Sequence, residues 1–90
     1  MSIEFDNAKR SLTLQNRGLD MARADEIFVG QTITVKDTRI DYGEPRFVTI
    51  GFLDLRMVIT VWTQRGNNRR IISLRKANDR EKDCYKHRLD

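Results

Sequence analysis

The chain has one cysteine, one histidine and one proline among its 90 residues, and the first two scarcities exclude whole classes of protein. A lone cysteine excludes an internal disulfide, which favours a reducing cytoplasm as the location. Cys84 and His87 are too few ligands for a zinc site within one chain, so no metal or other cofactor is expected. No apolar run approaches the roughly 18 residues that a membrane span needs, so no membrane partner is expected.

The motifs of the common nucleotide-binding and hydrolase families are also missing. Neither G-x-x-x-x-G-K-[ST] nor G-x-G-x-x-G nor G-x-S-x-G occurs. Histidine-based catalysis would have to rest on His87, near the end of the sequence. The opening residues MSIEFDNAKR lack the basic-then-apolar pattern of a signal peptide.

What the chain does have is positive charge, concentrated in its last quarter. Residues 1–64 carry 8 basic and 9 acidic side chains, a net of −1, whereas residues 65–90 carry 9 and 4, a net of +5. Phosphates attract Lys and Arg without any sequence recognition, so this asymmetry indicates a polyanionic partner. The length predicts one domain over residues 1–90, and a composition with 33% charged residues is typical of a globular protein.

Helical periodicity appears twice in the first 30 residues, after the short apolar stretch SIEF, which is interpreted as an edge strand. Asp6 is a suitable N-cap for a first helix, and Gly18 is suited to end it. A second helix is predicted after Asp20, because apolar residues recur at helical spacing up to Gly30. These apolar residues are Met21, Ala24, Ile27 and Phe28.

After Gly30 the apolar period changes to two, which predicts strands. The predicted strands are TITVKD, RFVTIGFL, RMVITVWTQR and RRIISLRK. The connections between them are short, so neighbouring strands are expected to be antiparallel. We therefore predict an α+β fold in the order β-α-α-β-β-β-β-α. It has an antiparallel meander sheet of four to five strands, two N-terminal helices and one C-terminal helix.

The last predicted strand, residues 69–76, is bracketed by basic residues. Strict alternation places Arg69, Ile71, Ser73 and Arg75 on one face and turns Ile72 and Leu74 towards the core. If Arg65 on the preceding strand shares the face of Arg75, the two guanidinium groups can grip one phosphate. The alternative is that both are solvated arginines at strand ends. Trp62, in the middle of a strand, is interpreted as a core residue.

Asn78 and Glu81 have the spacing of a capping box, which gives Glu81 a structural role at the start of the C-terminal helix. The functional alternative makes Glu81, Tyr85 and Lys76 candidate acids and bases, since Glu81 and Tyr85 lie one helical turn apart. Tyr85 can equally cover the sheet edge as an amphipathic residue.

The segment DTRIDYGEPRF combines charges of both signs with one aromatic residue. In one interpretation it is a salt-bridged hairpin, in which Asp41 or Glu44 neutralises Arg39 or Arg46. In the other it forms part of a substrate or partner surface. Nothing in the local sequence separates the two.

Three motifs together resemble the BrnT toxins of type II toxin–antitoxin systems. They are D-x-R-x-x-Y-G-E-x-R-F at residues 37–47, T-x-R-G at 63–66 and R-I-I-S-x-R-K-A at 70–77, followed by Arg80, Glu81 and Tyr85. The resemblance implies a RelE-like fold and a metal-independent ribonuclease that inhibits translation and growth. It further implies neutralisation by a ribbon-helix-helix (BrnA-like) antitoxin, in a complex that binds operator DNA and represses its own operon.

An enzyme of this kind activates a ribose 2′-hydroxyl to attack the adjacent phosphate of its RNA. Candidate substrates are mRNA and other RNA, with the ribosome or without it, and the sequence leaves this choice open. The resemblance implies that Arg65 and Arg75 stabilise charge and that Lys76 or Glu81 acts as base. It also implies that Tyr85 or Arg80 assists the leaving group. The candidate RNA-binding residues are Arg17, Arg39, Arg46, Arg69, Arg70 and Arg80.

The sequence departs from the family pattern in two places: Phe5 stands where Trp is usual, and Asn16-Arg17-Gly18 stands where Lys-His-Gly is common. The second is the more serious. A permanent cation replaces a group that titrates near neutral pH. This leaves an alternative function open, a catalytically weak homologue that mainly binds the antitoxin and represses the operon. A basic RNA-binding module without toxin activity is a third hypothesis.

Overall fold

The computed structural model describes residues 2–89, which form a five-stranded sheet with helices on both faces. The strands are β1 (Ser2–Phe5), β2 (Ile33–Asp37), β3 (Arg46–Leu53), β4 (Arg56–Arg65) and β5 (Asn68–Lys76). The helices are α1 (Asn7–Arg17), α2 (Ala24–Val29) and α3 (Asp79–Leu89), and a 3₁₀ turn at Met21–Arg23 precedes α2. The α+β class and the order of elements are as predicted.

The sheet is mixed, so the prediction of a purely antiparallel meander is wrong. Its strand order is β1-β5-β4-β3-β2. The strands from β2 to β5 are antiparallel neighbours, but β1 lies parallel to β5, with Phe5 opposite Ile71. The physical reason is that two helices and three strands separate β1 from β5 along the chain. A short connection forces neighbouring strands to be antiparallel, but a connection of this length does not.

Both predicted helix caps of α1 are present. The carboxylate of Asp6 accepts a hydrogen bond from the Ala8 N–H at 3.3 Å, and Gly18 ends the helix with φ of 68°. No residue of α1 is buried. The helix is held instead by charged groups that reach β5: Lys9 Nζ donates to the Ile72 carbonyl at 2.6 Å, and Arg17 donates to the Leu74 carbonyl at 2.9 Å.

The second N-terminal helix is shorter than predicted, because the 3₁₀ turn takes its first residues and leaves six for α2. The apolar stripe was nonetheless identified correctly, since Met21, Ala24 and Ile27 are all fully buried. Gly51 on β3 allows this close packing: a Cβ there would lie 2.7 Å from Cγ2 of Ile27.

A β-bulge in β5 changes the predicted faces of that strand. Ser73 pairs with Val61 and Ile71 pairs with Trp62, which leaves Ile72 as the extra residue. The shift buries Ile71 beside Leu74, while Ile72 is only partly buried. The assignment of Ile72 to the core and of Arg69 and Ile71 to the face of Arg75 is therefore wrong. Trp62 is buried as predicted.

The two faces of the sheet carry separate cores. The first core lies under the 3₁₀ turn and α2 and includes Trp62 and Leu74, whereas the second lies under α3 and includes Ile50 and Ile59. Because α3 covers only part of its face, apolar side chains remain accessible beside it, and Val35 is 48% exposed. Among residues 2–89, no helix has the length and apolar character needed to span a membrane.

Candidate functional site: a basic groove beside the C-terminal helix

A groove of about 380 Å³ runs between α3 and the uncovered part of the second sheet face. We call it the α3 groove; its lining residues are Arg39, Val48, Ile50, Ile59, Val61, Arg75, Glu81 and Tyr85. The floor is formed by the four aliphatic residues of β3 and β4, and the rim carries the charged and aromatic groups. An apolar floor with a few polar groups at its margin is typical of ligand sites.

Arg75 and Glu81 form a bidentate ion pair at one wall of the α3 groove. The two terminal nitrogens of Arg75 donate to the two carboxylate oxygens of Glu81 at 2.7 and 2.8 Å. The hydrogen bond from Arg75, with a further one from the Asn78 N–H, lowers the pKa of Glu81 to about 2. A carboxylate with such a pKa is a poor proton acceptor at neutral pH, so the geometry does not favour Glu81 as general base.

The predicted capping box is also confirmed, and it fixes Glu81 from the other side. The Glu81 carboxylate accepts from the Asn78 N–H at 2.9 Å, and the Asn78 side-chain oxygen accepts from the Glu81 N–H at 2.8 Å. Arg75 thus has its guanidinium anchored to the first turn of α3. Because Glu81 engages only part of the five-donor fork, other N–H groups of Arg75 remain to bind a ligand.

A second cation, Arg39, lines the α3 groove together with Arg75. It is 78% exposed and donates to both carboxylate oxygens of the buried Asp37, at 3.0 and 3.1 Å. The hydrogen bond to Glu81 raises the pKa of Arg75, and the positive charge of Arg39 opposes that rise. Arg39 and Arg75 thus bring two guanidinium groups to one groove, and each keeps N–H groups that its carboxylate partner does not use.

Tyr85 lies one turn after Glu81 and completes the wall of the groove, packing against the second core. The interpretation that Tyr85 covers the sheet is confirmed, and its side chain also lines the groove; its role as an acid or base stays a prediction. Lys76 is placed differently. It pairs with Val58, whose side chain belongs to the first core, so Lys76 lies on the other face of the sheet from Arg75.

The hypothesis that Arg65 and Arg75 grip one phosphate is wrong. Arg65 pairs with Asn68, whereas Arg75 pairs with Ile59, which lies six residues before Arg65 in β4. At about 3.3 Å per residue the two positions are roughly 20 Å apart. Arg65 lies 3.8 Å from Glu44 and not in the α3 groove.

The loop between β2 and β3 is salt-bridged, as one of its two interpretations predicted. Glu44 lies 3.7 Å from Arg46, whose guanidinium stacks on the Tyr42 ring at 3.7 Å from its centroid. Asp41 neutralises neither arginine: its side chain accepts from the Gly43 N–H at 2.9 Å.

The remaining candidates are dispersed. Arg69 lies on the first face, with its guanidinium 4.0 Å from the Phe28 ring centroid, and Arg80 is exposed on α3. Arg17 is on the α1 side of β5, and Arg70 lies near β1, 3.9 Å from Glu4. Of the eleven predicted site residues, the α3 groove brings together only four. They are Arg39, Arg75, Glu81 and Tyr85.

Sequence reasoning did not identify the apolar floor of the groove. The signal was available, because Val48, Ile50, Ile59 and Val61 alternate with residues of the first core in their strands. Strands that are apolar on both faces require a cover on each side, and α3 is too short to provide a whole one. Within residues 2–89 no group of three or more His, Cys, Asp or Glu side chains is arranged to hold a metal ion.

Comparison with protein families gives a match that covers most of the chain. A family model described as "Ribonuclease toxin, BrnT, of type II toxin-antitoxin system" matches residues 5–81. The matched range includes Arg39, Arg75 and Glu81 and ends before Tyr85. A search of curated proteins found no match.

Proposed function

The chain belongs to the BrnT family, and we propose that it cleaves RNA in the α3 groove. Family membership makes it a ribonuclease toxin of a type II toxin–antitoxin system, with RNA as substrate and a protein antitoxin as partner. The observation that carries the proposed location is the pair of guanidinium groups, Arg39 and Arg75, above an apolar floor with Tyr85 beside them.

The proposed reaction is attack of a ribose 2′-hydroxyl on the adjacent phosphate, without a metal ion. The dianionic phosphorane that develops needs positive charge, and Arg75 and Arg39 supply it from fixed positions. Tyr85 donates a proton to the leaving 5′-oxygen in this scheme, and the proton of the 2′-hydroxyl passes to solvent water at the open side of the groove. An aliphatic floor excludes water and strengthens these electrostatic interactions.

Glu81 acts in this proposal as a positioning residue. It orients Arg75 through two short hydrogen bonds and is itself fixed by Asn78. Lys76 and Arg65 have no direct role in the groove, because one faces the opposite side of the sheet and the other is roughly 20 Å away along β4.

The test is cleavage of a defined RNA by the purified protein in excess EDTA. We expect cleavage to persist in EDTA and to fall by about 10²–10³-fold in Arg75→Ala, the typical effect of removing one charge-stabilising donor. Arg56→Ala is the matched control, because it removes one exposed arginine at the start of β4, outside the groove. Cleavage that requires a divalent ion, or that Arg75→Ala leaves intact, would refute the mechanism.

The finer features of the partner are also proposals. We infer a ribbon-helix-helix antitoxin and operator binding only through the toxin–antitoxin complex, from the three motifs at residues 37–47, 63–66 and 70–77. If folded protein cleaves no RNA, with or without ribosomes, the alternative of a catalytically weak, antitoxin-binding homologue takes the place of the ribonuclease proposal for this chain.

A further inference from the structure

We propose that the open sheet face carries a second phosphate-binding site, formed by Arg46 and Arg70, and that one RNA strand spans this site and the α3 groove. The inference rests on the proposed function, because it extends the RNA from the groove in which cleavage is proposed. It concerns the end of the same face that lies farthest from α3, where the charged residues do not take part in the groove.

Strand register places the two arginines on either side of Thr63. Arg70 is the direct partner of Thr63, and extending the β3–β4 register by one residue places Arg46 opposite Thr63 from the other side. Adjacent strands are about 4.8 Å apart, so the two backbones are about 10 Å apart. The side chains of Arg46 and Arg70 share the face of Val48, Val61 and Arg75.

These guanidinium groups have hydrogen-bonding capacity that the protein does not use. Within residues 2–89 neither side chain donates a hydrogen bond, and the nearest carboxylate oxygens are 3.7 Å from Arg46 and 3.9 Å from Arg70. Both side chains are partly buried, at 25% and 31% exposure. The Nε–H of Arg46 is buried without any acceptor among the described residues. Such orphaned donors are rare and indicate a missing partner.

Several other arginines are more fully paired, whereas Arg69 on the first face shares with Arg46 a buried Nε–H without an acceptor among the described residues. Arg10, Arg23 and Arg39 each donate to both oxygens of a carboxylate at 3.1 Å or less. Arg46 is instead oriented by the Tyr42 ring, which holds the guanidinium plane without consuming its N–H groups. A preoriented planar fork with free donors matches the geometry of a phosphate.

The apolar surface that links the two sites suits nucleobases, and it includes Val48 and Val61 of the groove floor. Val35, Val48 and Val61 lie between the row of Arg75 and that of Thr63, and none of the three is buried. Ile59 and Thr63 are four residues apart, which corresponds to about 13 Å along β4. At about 3.4 Å per stacked nucleotide this span equals about four nucleotides, and fewer if the strand is extended.

Charge decides between RNA and a protein segment as the occupant. Arginines lie at both ends of the valine surface, and the carboxylates of Glu44 and Glu4 are too distant to satisfy them by hydrogen bonds. Asp37 is the cross-strand partner of Arg46, but both of its carboxylate oxygens accept from Arg39. An RNA strand, with regularly spaced phosphates and flat apolar bases, complements a face on which arginines lie at both ends and valines lie between them. An apolar protein helix would complement only the middle of it.

The experiment measures fluorescence anisotropy of labelled 2′-O-methyl oligouridylates, which cannot undergo 2′-hydroxyl attack, at lengths from about two to eight nucleotides. For the unmodified protein we expect a step in affinity where the oligonucleotide first reaches both sites. Arg46→Ala and Arg70→Ala should each reduce the affinity of long oligonucleotides about tenfold or more and leave the shortest ones unchanged. The salt slope of each variant should fall by about 0.7 for each phosphate that the protein no longer neutralises.

Two further variants keep the result interpretable. Arg46→Lys keeps the charge and removes the fork, so a partial loss of the length step is expected even if Arg46→Ala is poorly folded. Arg56→Ala removes the same charge outside the face and should keep the step. Equal weakening at all lengths, or no difference from Arg56→Ala, would overturn the second site. Antitoxin binding that depends on Arg46 while RNA binding does not would also overturn it, and would assign the face to the antitoxin.

Failure of the proposed function gives a different pattern. Arg75→Ala should weaken binding at every length, because it removes the anchor in the α3 groove. If Arg75→Ala has no effect at any length while the Arg46 variants abolish the step, RNA binds the far end of the face and the groove is not its anchor. If Arg75→Ala weakens binding at every length but the Arg46 and Arg70 variants leave the affinity step unchanged, the groove proposal stands and the second site fails.

Discussion

Replacing Glu81 with glutamine should destabilise the protein at neutral pH and have little effect in acid. The substitution removes the charge that pairs with Arg75 at 2.7 Å but keeps an oxygen that can accept from the Asn78 N–H. Because the capping box survives, the change in stability isolates the ion pair. The side chains are 21% and 43% exposed, so the pair is partly shielded from water.

The expected magnitude follows from the pKa of Glu81, which is lowered from an ordinary value of 4.5 to about 2. A difference of that size corresponds to about 3 kcal/mol, and solvent screening at the 43% exposed Arg75 reduces it to about 1–2 kcal/mol. Since the pKa is lower in the folded state, the stabilisation is present above pH 4.5. It is lost as the pH falls towards 2 and the unfolded state takes up the proton more readily.

Urea denaturation followed by circular dichroism, at pH 7 and near pH 3, measures this difference. Asp83→Asn is the control, because Asp83 is 76% exposed and its contact with Lys86 at 3.4 Å is a surface pair worth at most about 0.5 kcal/mol. A Glu81→Gln protein as stable as the unmodified one at pH 7 would refute the reasoning. So would a stability difference that stays constant from pH 7 to pH 3.

Two further substitutions test the packing and the turns of the sheet by thermal unfolding. Leu55→Gly should raise Tm by a few degrees, because Leu55 has φ of 65° and is 99% exposed. Glycine relieves the backbone strain, and no packing is lost. An unchanged or lower Tm would contradict this. Gly51→Ala should cost about 1–3 kcal/mol, since its Cβ would lie 2.7 Å from the buried Ile27, whereas Gly30→Ala, with nothing within 4 Å, should not show that destabilisation. Equal effects of the two alanine substitutions would argue against the close contact.

Local signals in the sequence predicted the elements and their caps. Asp6, Gly18 and the Asn78–Glu81 box act through residues only a few positions away, so the chain near them determines the outcome. Apolar periodicity also identified Met21, Ala24 and Ile27 as core residues.

The errors arose where the structure depends on distant parts of the chain. The parallel pairing of β1 with β5 joins Phe5 to Ile71, and no local pattern specifies it. The bulge at Ile72 interrupts strict alternation, so every face assigned before it along β5 was inverted. The separation of Arg65 from Arg75, by contrast, could have been derived, because the tight turn after Arg65 fixes the register of β4 against β5 and places Arg75 at the far end of the hairpin.

Hydrogen bonding distinguishes Arg46 and Arg70 from Arg39 and Arg75, which carboxylates hold in place at the α3 groove. Arg10 holds the carboxylate of Asp20 at 2.7 and 3.0 Å and lowers the pKa of Asp20 to about 2, so its donors serve the fold. Arg46 and Arg70 donate to nothing within residues 2–89, and their donors are free for a ligand.

Arg17 belongs with the arginines that serve the fold. It occupies the position at which a histidine is common among the proteins this chain resembles, and it donates to the Leu74 carbonyl at 2.9 Å from the α1 side of β5. Arg17 is not among the residues that line the α3 groove, where Arg75 pairs with Glu81. The cation at Arg17 therefore ties α1 to the sheet and removes no base from the groove, so the exchange of histidine for arginine is compatible with the proposed cleavage.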